Sequence, residues 1–102
     1  GTFVDADGNT THLDRADWEL TVTDTWTSPD SGAEYPAGWQ IAIPAIDLEI
    51  EGAPLMPNQE LNVSTVYWEG AVAFSGTLAG TAVTARGYVE MTGYAGSMEG
   101  RI

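Results

Sequence analysis

Two stretches of this chain alternate side-chain character at period two: Tyr67-Trp68-Glu69-Gly70-Ala71-Val72 and Gly87-Tyr88-Val89-Glu90-Met91-Thr92-Gly93-Tyr94. Aromatic and β-branched residues alternating with small or polar ones specify strands, because successive side chains of a strand point to opposite faces. Residues 74–81, with Gly76 and Gly80 among small residues, read as a tight connection, so the two stretches form a long hairpin. Val66, Trp68, Val72 and Phe74 then share one face with Val89 and Met91. The other face carries Tyr67, Glu69, Ala71 and Ser75 with Tyr88, Glu90, Thr92 and Tyr94.

The same period recurs along the chain. Residues 3–13 read as a hairpin turning at Asp7-Gly8-Asn9. Residues 18–27 read as a half-buried strand with Trp18, Leu20, Val22 and Trp26 on the core side, Trp18 and Trp68 being core residues by default. Residues 28–38 hold two prolines and two glycines and read as a loop, in which Tyr35 caps an edge of the core. Trp39 to Ile43 and Ile46 to Ile50 are further strands, separated by Pro44, and residues 59–62 pair briefly before the long hairpin. No 3.6-residue pattern persists for three turns. The expectation is therefore an all-β antiparallel barrel or sandwich of seven or eight strands with little or no helix.

A chain of 102 residues supports one domain. It has no apolar run of the length that spans a membrane and no signal segment, so it reads as a soluble domain; its opening inside a strand suggests a piece of a longer protein. Without cysteine, stability rests on burial and strand pairing, and the compartment stays open, an exported or membrane-associated parent protein included. Fifteen acidic residues against three arginines and no lysine give a net charge of −12. Such a field repels nucleic acid, anionic membrane surfaces and acidic substrates. The absence of lysine also suits a high-salt organism, where screening relieves self-repulsion.

Chemistry is sparse. The chain has no Gly-x-Ser-x-Gly elbow, cysteine nucleophile, phosphate loop or histidine cluster, and neither a metal nor a cofactor is expected. Asp5-x-Asp7-Gly8-Asn9 opens like a calcium loop, but Thr10 and Ala16 stand where that loop needs Gly and Glu, so a turn is favoured. His12, the single histidine, reads as structural or solvent-facing, and the sequons at Asn9 and Asn62 carry no weight. Glu69 and Glu90 are the catalytic candidates: paired carboxylates on adjacent strands can split their pKa values into an acid and a base. The alternative is an outer, wet face, with each glutamate tied to Arg86 or to backbone. Tyr67, Tyr88 and Tyr94 flank them, and Trp26 and Trp39 flank the long loop, as candidates to contact a ligand.

Trp26-Thr27-Ser28-Pro29 with Gly32, Tyr35-Pro36-x-x-Trp39, Ile43-Pro44, Gln59-Glu60-Leu61, the Tyr67 to Val72 stretch, Gly76, Gly80 and the Gly87 to Tyr94 stretch together resemble the AttH/CrtC-type lipocalin-like family. That family includes carotenoid 1,2-hydratase (hydroxyneurosporene synthase). The resemblance implies a lipocalin-like β-barrel, open or flattened, forming the C-terminal half of a two-half protein that ends naturally over residues 97–102. It implies a hydrophobic small molecule and an N-terminal lipocalin-like half as partners. Three functions follow from it: a binding module for isoprenoid or lipid-like molecules, half of a hydratase acting on an isoprenoid double bond, or a structural domain.

Overall fold

The alternation becomes eight strands in the computed structural model, which describes residues 1–95. The expected end over residues 97–102 lies outside the described residues. β1 (Thr2–Val4) and β2 (Thr10–His12) pair as a small hairpin. Its turn is tied by the Asp5 carboxylate, which accepts from the Asp7 and Asn9 amides at 2.9 Å, and that bonding holds the Asp5 pKa below its usual value. His12 is exposed and pairs with Asp14.

The remaining strands form one antiparallel sheet: β3 (Glu19–Thr27), β4 (Glu34–Ile43), β5 (Leu48–Pro54), β6 (Glu60–Asn62), β7 (Val66–Leu78) and β8 (Thr81–Thr92). Two single 3-10 turns, Arg15–Asp17 and Pro44–Ile46, are the helical content among the described residues. The order is β3-β4-β5-β7-β8, with β6 lying in line with β5 on the same side of β7. No pairing joins β3 to β8 among the described residues, so this lipocalin-like sheet is an open one.

β7 is the hub. It pairs with β8 from Tyr67 to Leu78, and on its other side with β5 over residues 72–78 and with β6 over residues 66–68. The gap between β5 and β6 is filled by a side chain. Gln59 accepts from the Ala71 amide at 3.0 Å and donates to the Ala71 carbonyl at 3.1 Å, as a neighbouring strand would. Gly70 lies against that amide, and a Cβ there would collide with Gln59.

Several expectations are corrected. Residues 74–78 continue the strand, and the connection shrinks to Ala79 and Gly80, whose φ angles of 50° and 81° make the tight turn that hairpin twist favours. β4 begins at Glu34, so Tyr35 and Pro36 belong to a strand; turn composition misled because the Pro36 position pairs only toward β3. Trp18 sits outside the core, half-buried under the Arg15 guanidinium, which lies 5.3 Å from its ring. Leu20 and Val22, on the expected core side of β3, are 49% and 47% exposed. Gly93, at φ 85°, breaks the alternation after Thr92 and sends Tyr94 onto Tyr35, away from Tyr88 and Glu90.

The core gathers Ala33, Tyr35, Trp39, Trp68, Val72 and Met91, with Trp26, Phe74, Val89 and Ala95 against it. Burying each large side chain contributes on the order of 3 kcal/mol before entropy costs. Both chain segments of the β3–β4 hairpin tip enter this cluster, so the tip folds over the face of β7 and β8.

Candidate functional site

Directly opposed residues of antiparallel strands share a face, and the register therefore sorts the whole sheet. One row runs Leu20, Ile41, Ile50, Gly76, Val83, and the next runs Val22, Trp39, Gly52, Phe74, Ala85. A third holds Ile43, Leu48 and Leu78. None of these positions carries a charge. Gly52 and Gly76 sit where a Cβ would strike the facing strand's backbone, so the close approach of β5 and β7 requires glycine there. Trp39 and Phe74 meet across Gly52 with ring centroids 6.5 Å apart. The upper part of this inner face is covered by the hairpin tip; the row from Leu20 to Val83 stands outside the buried cluster, with Leu20 exposed and Ile41, Ile50, Gly76 and Val83 half-buried.

The outer face carries the polar positions. Glu69 stands directly opposite Glu90, with Tyr67 opposite Thr92, Ala71 opposite Tyr88 and Ala73 opposite Arg86. The two glutamates are thus brought together with Tyr67 and Tyr88. Neither pairs with Arg86: His12–Asp14 is the one ion pair within 4.0 Å among the described residues. Tyr88 is 68% exposed, and its phenol is held above the ordinary tyrosine value by desolvation first, then by the Glu69 carboxylate, with Tyr67 and Glu90 adding to it.

Trp26, Trp39 and Tyr94 lie on the inner side instead. Trp26 stacks on Tyr35 at 6.1 Å and Tyr94 packs on the same ring at 5.6 Å, while Trp39 is buried. The sequence-derived residues therefore divide into two groups on opposite faces, which no single small ligand can touch together.

A third constellation escaped the sequence reading as chemistry. Glu60, opposite Trp68 on the inner face, accepts from the Ser28 hydroxyl, the Ser31 hydroxyl and the Tyr35 hydroxyl, each at 2.6 Å, and from the Asn62 amide at 3.2 Å. Ser28 also accepts from the amides of Asp30 and Ser31, which shapes the tip loop. Burial pushes the Glu60 carboxyl up, but the four donated bonds outweigh it and hold its pKa below the usual value. Tyr35, 1% exposed, moves the other way: burial and its bond to the Glu60 carboxylate push its phenol well above the ordinary range. Glu60 is thus an ionised acceptor, unsuited to donating a proton. A strand of three residues shows no period, so alternation could not place Glu60 on the inner face; its signal was its presence, with Ser28 and Tyr35, among the residues that carry the family resemblance.

Two shallow grooves, about 380 Å³ and about 210 Å³, lie along Gln40, Glu49, Glu51, Ser75 and Thr77 and along Glu19, Thr21 and Ala42. The first also reaches Ile50 and Gly76 of the uncharged row, and neither touches Glu60, Glu69, Glu90 or the candidate tyrosines and tryptophans. Among the described residues no three His, Cys, Asp or Glu side chains converge as metal ligands would, and no helix is long and apolar enough to cross a membrane.

The AttH-like family model matches residues 1–94. The fold is similar to that of an AttH protein from Nitrosomonas europaea, at 35% identity and TM-score 0.72 over 91% of this chain and 29% of that one. It is also similar to kievitone hydratase from Nectria haematococca, at 25% identity and TM-score 0.73 over 89% of this chain and 28% of that one. The chain thus spans less than a third of either solved structure. No curated protein matches it.

Proposed function

This chain belongs to the AttH-like family, and from that premise we propose that it is a hydrophobic small-molecule binding module. One observation carries the reading: Leu20, Ile41, Ile50 and Val83 form an uncharged row on the inner face that begins at a Leu20 still 49% exposed and borders the row of buried Trp39 and half-buried Phe74. Apolar area of this kind gains about 25 cal/mol per Å² when covered, and it contains no polar group that would have to be desolvated. The net charge of −12 favours neutral isoprenoid or lipid-like molecules over fatty-acid anions. In the full protein the other wall of the cavity comes from an N-terminal lipocalin-like half, for which the present chain is the C-terminal partner.

Tryptophan fluorescence titrated with retinol, a neutral carotenoid and palmitate tests this. Saturable quenching by the neutral ligands, weaker with palmitate and lost in Ile50→Asp, is expected. Absence of a saturable response, or a response untouched by Ile50→Asp, would leave a domain that only packs against its partner.

A second reading has its own support, since one similar structure is a hydratase and Glu69 faces Glu90. Here one of the two glutamates protonates an isoprenoid double bond, Tyr67 and Tyr88 stabilise the developing cation with their ring faces, and a water adds to it, giving its proton to the other glutamate. The reading requires a second surface over the outer face that shields the cation from bulk solvent and admits the one water that is added. Hydration activity of the full-length protein that survives Glu69→Gln and Glu90→Gln would remove it.

A further inference from the structure

We propose that residues 28–35 form a latched lid over the inner face, closed by the Glu60 carboxylate and hinged at paired irregularities of β3 and β4; as a gate for ligand, the lid rests on the binding reading above. The hinge lies in the register. Between Val22 and Thr25 the pairing shifts twice, leaving Thr23 unpaired on β3 and Ala37 unpaired on β4 at the same level. Gly38 fills that level closely, since a Cβ on it would lie 2.7 Å from the Thr23 hydroxyl.

Below the hinge, Trp39 to Ile43 are laddered to β5. Above it, β4 pairs only with β3, so the distal hairpin is a cantilever with no backbone ladder to the rest of the sheet. Among the described residues, what holds it down is side-chain contact. Ala33, Tyr35 and Trp26 pack on the Trp68, Val72 and Met91 cluster, and three hydroxyls of residues 28, 31 and 35 converge on Glu60.

Beside the apolar contacts of Ala33 and Tyr35, which belong to the core, this closure has a polar part that exchanges readily. The hydroxyls can exchange the carboxylate for water at small net cost, and a carboxylate exposed by opening is hydrated at once. Opening also joins the Trp68, Val72 and Met91 surface to the open row that begins at Leu20. The apolar face then becomes continuous across the sheet, long enough for an extended chain-like molecule. Segments that move for ligand entry are drawn from the least protected parts of a fold, which is where a cantilever stands.

Amide hydrogen exchange read by NMR on the 102-residue chain separates the lid from the sheet. The amides of Ser28 and Gly32, bonded to the Ala33 and Ser28 carbonyls, are expected to exchange about 100-fold faster than those of β7 and β8. Glu60→Gln and the milder Ser31→Ala should speed them further, about tenfold and about threefold, with β7 and β8 unchanged. Exchange of lid and sheet in step, in the parent and in Ser31→Ala, would show one cooperative unit and overturn the lid.

Stopped-flow association of the neutral probe N-phenyl-1-naphthylamine reads the gate. Ser31→Ala should raise its association rate about threefold, in parallel with lid exchange. An unchanged association rate alongside faster lid exchange would overturn gating. If the parent chain and Ser31→Ala both bind no probe, gating and the binding reading fall together, while the exchange result still decides whether the lid exists.

Discussion

Glu60 and Glu69 lie on paired strands only one residue out of step, since Glu60 stands opposite Trp68. That single step changes everything about them. On the inner face Glu60 is ringed by four donors and binds a loop to a strand. On the outer face Glu69 meets Glu90 head-on with no cation of the described residues within ion-pair distance. A carboxylate's role in this sheet follows from the face it occupies, because the faces differ in what else they present. The inner one is a structural acceptor; the outer pair faces solvent beside Tyr88 and ties no loop to a strand.

Glu60→Ala should produce the largest effect, since it leaves the buried hydroxyls of Ser28 and Tyr35 without their acceptor. A loss of about 3 kcal/mol is expected, or about 15 °C in thermal melting. A loss no greater than that of Glu69→Ala would erase the contrast. Tyr35→Phe removes one donor and keeps the stacking with Trp26 and Tyr94, so about 1 kcal/mol is expected from chemical denaturation.

Acid sharpens the comparison further. Because the folded Glu60 carboxyl is held below its usual value, its contribution is complete above the unfolded carboxylate pKa of about 4.3. It is lost as pH falls through the depressed folded value. The stability difference between the parent chain and Glu60→Gln should therefore be flat from neutral pH to about 5 and shrink below about 4. A difference that widened on acidification would reverse the sign and contradict an ionised Glu60.

The smallest effects belong to the outer face. Glu69→Gln or Glu90→Gln should be neutral or stabilising by about 0.5 kcal/mol, since like charges directly opposed on a sheet repel. Glu69→Gln should also lower the Tyr88 phenol pKa, measured by NMR of ring-labelled tyrosine, since it removes the carboxylate that adds to desolvation in raising it. A Tyr88 that titrates unchanged would mean that Glu69 does not act on it.

Period two made most of the sheet legible. The alternation of residues 66–74 and 88–92 placed the long hairpin and put Glu69 and Glu90 on one face; that they stand directly opposite comes from the register. What it missed has local causes. Gly93 reverses the phase before Tyr94, and Pro36 concealed a strand within a loop-like composition. The exposure of Leu20 and Val22 is a property of what covers the sheet, which no pattern within a single strand encodes. Glu60 was invisible to alternation because β6 is too short to show any.

The claim that the inner face binds an apolar molecule is tested most directly by mapping amide and methyl shifts of the isotope-labelled chain during a retinol titration. Saturable perturbations should cluster at Leu20, Ile41, Ile50, Phe74 and Val83 and spare Thr21, Gln40, Ser75 and Thr84, which alternate with them on the outer face. Perturbations centred on Tyr67, Glu69, Tyr88 and Glu90, or none that saturate, would contradict it.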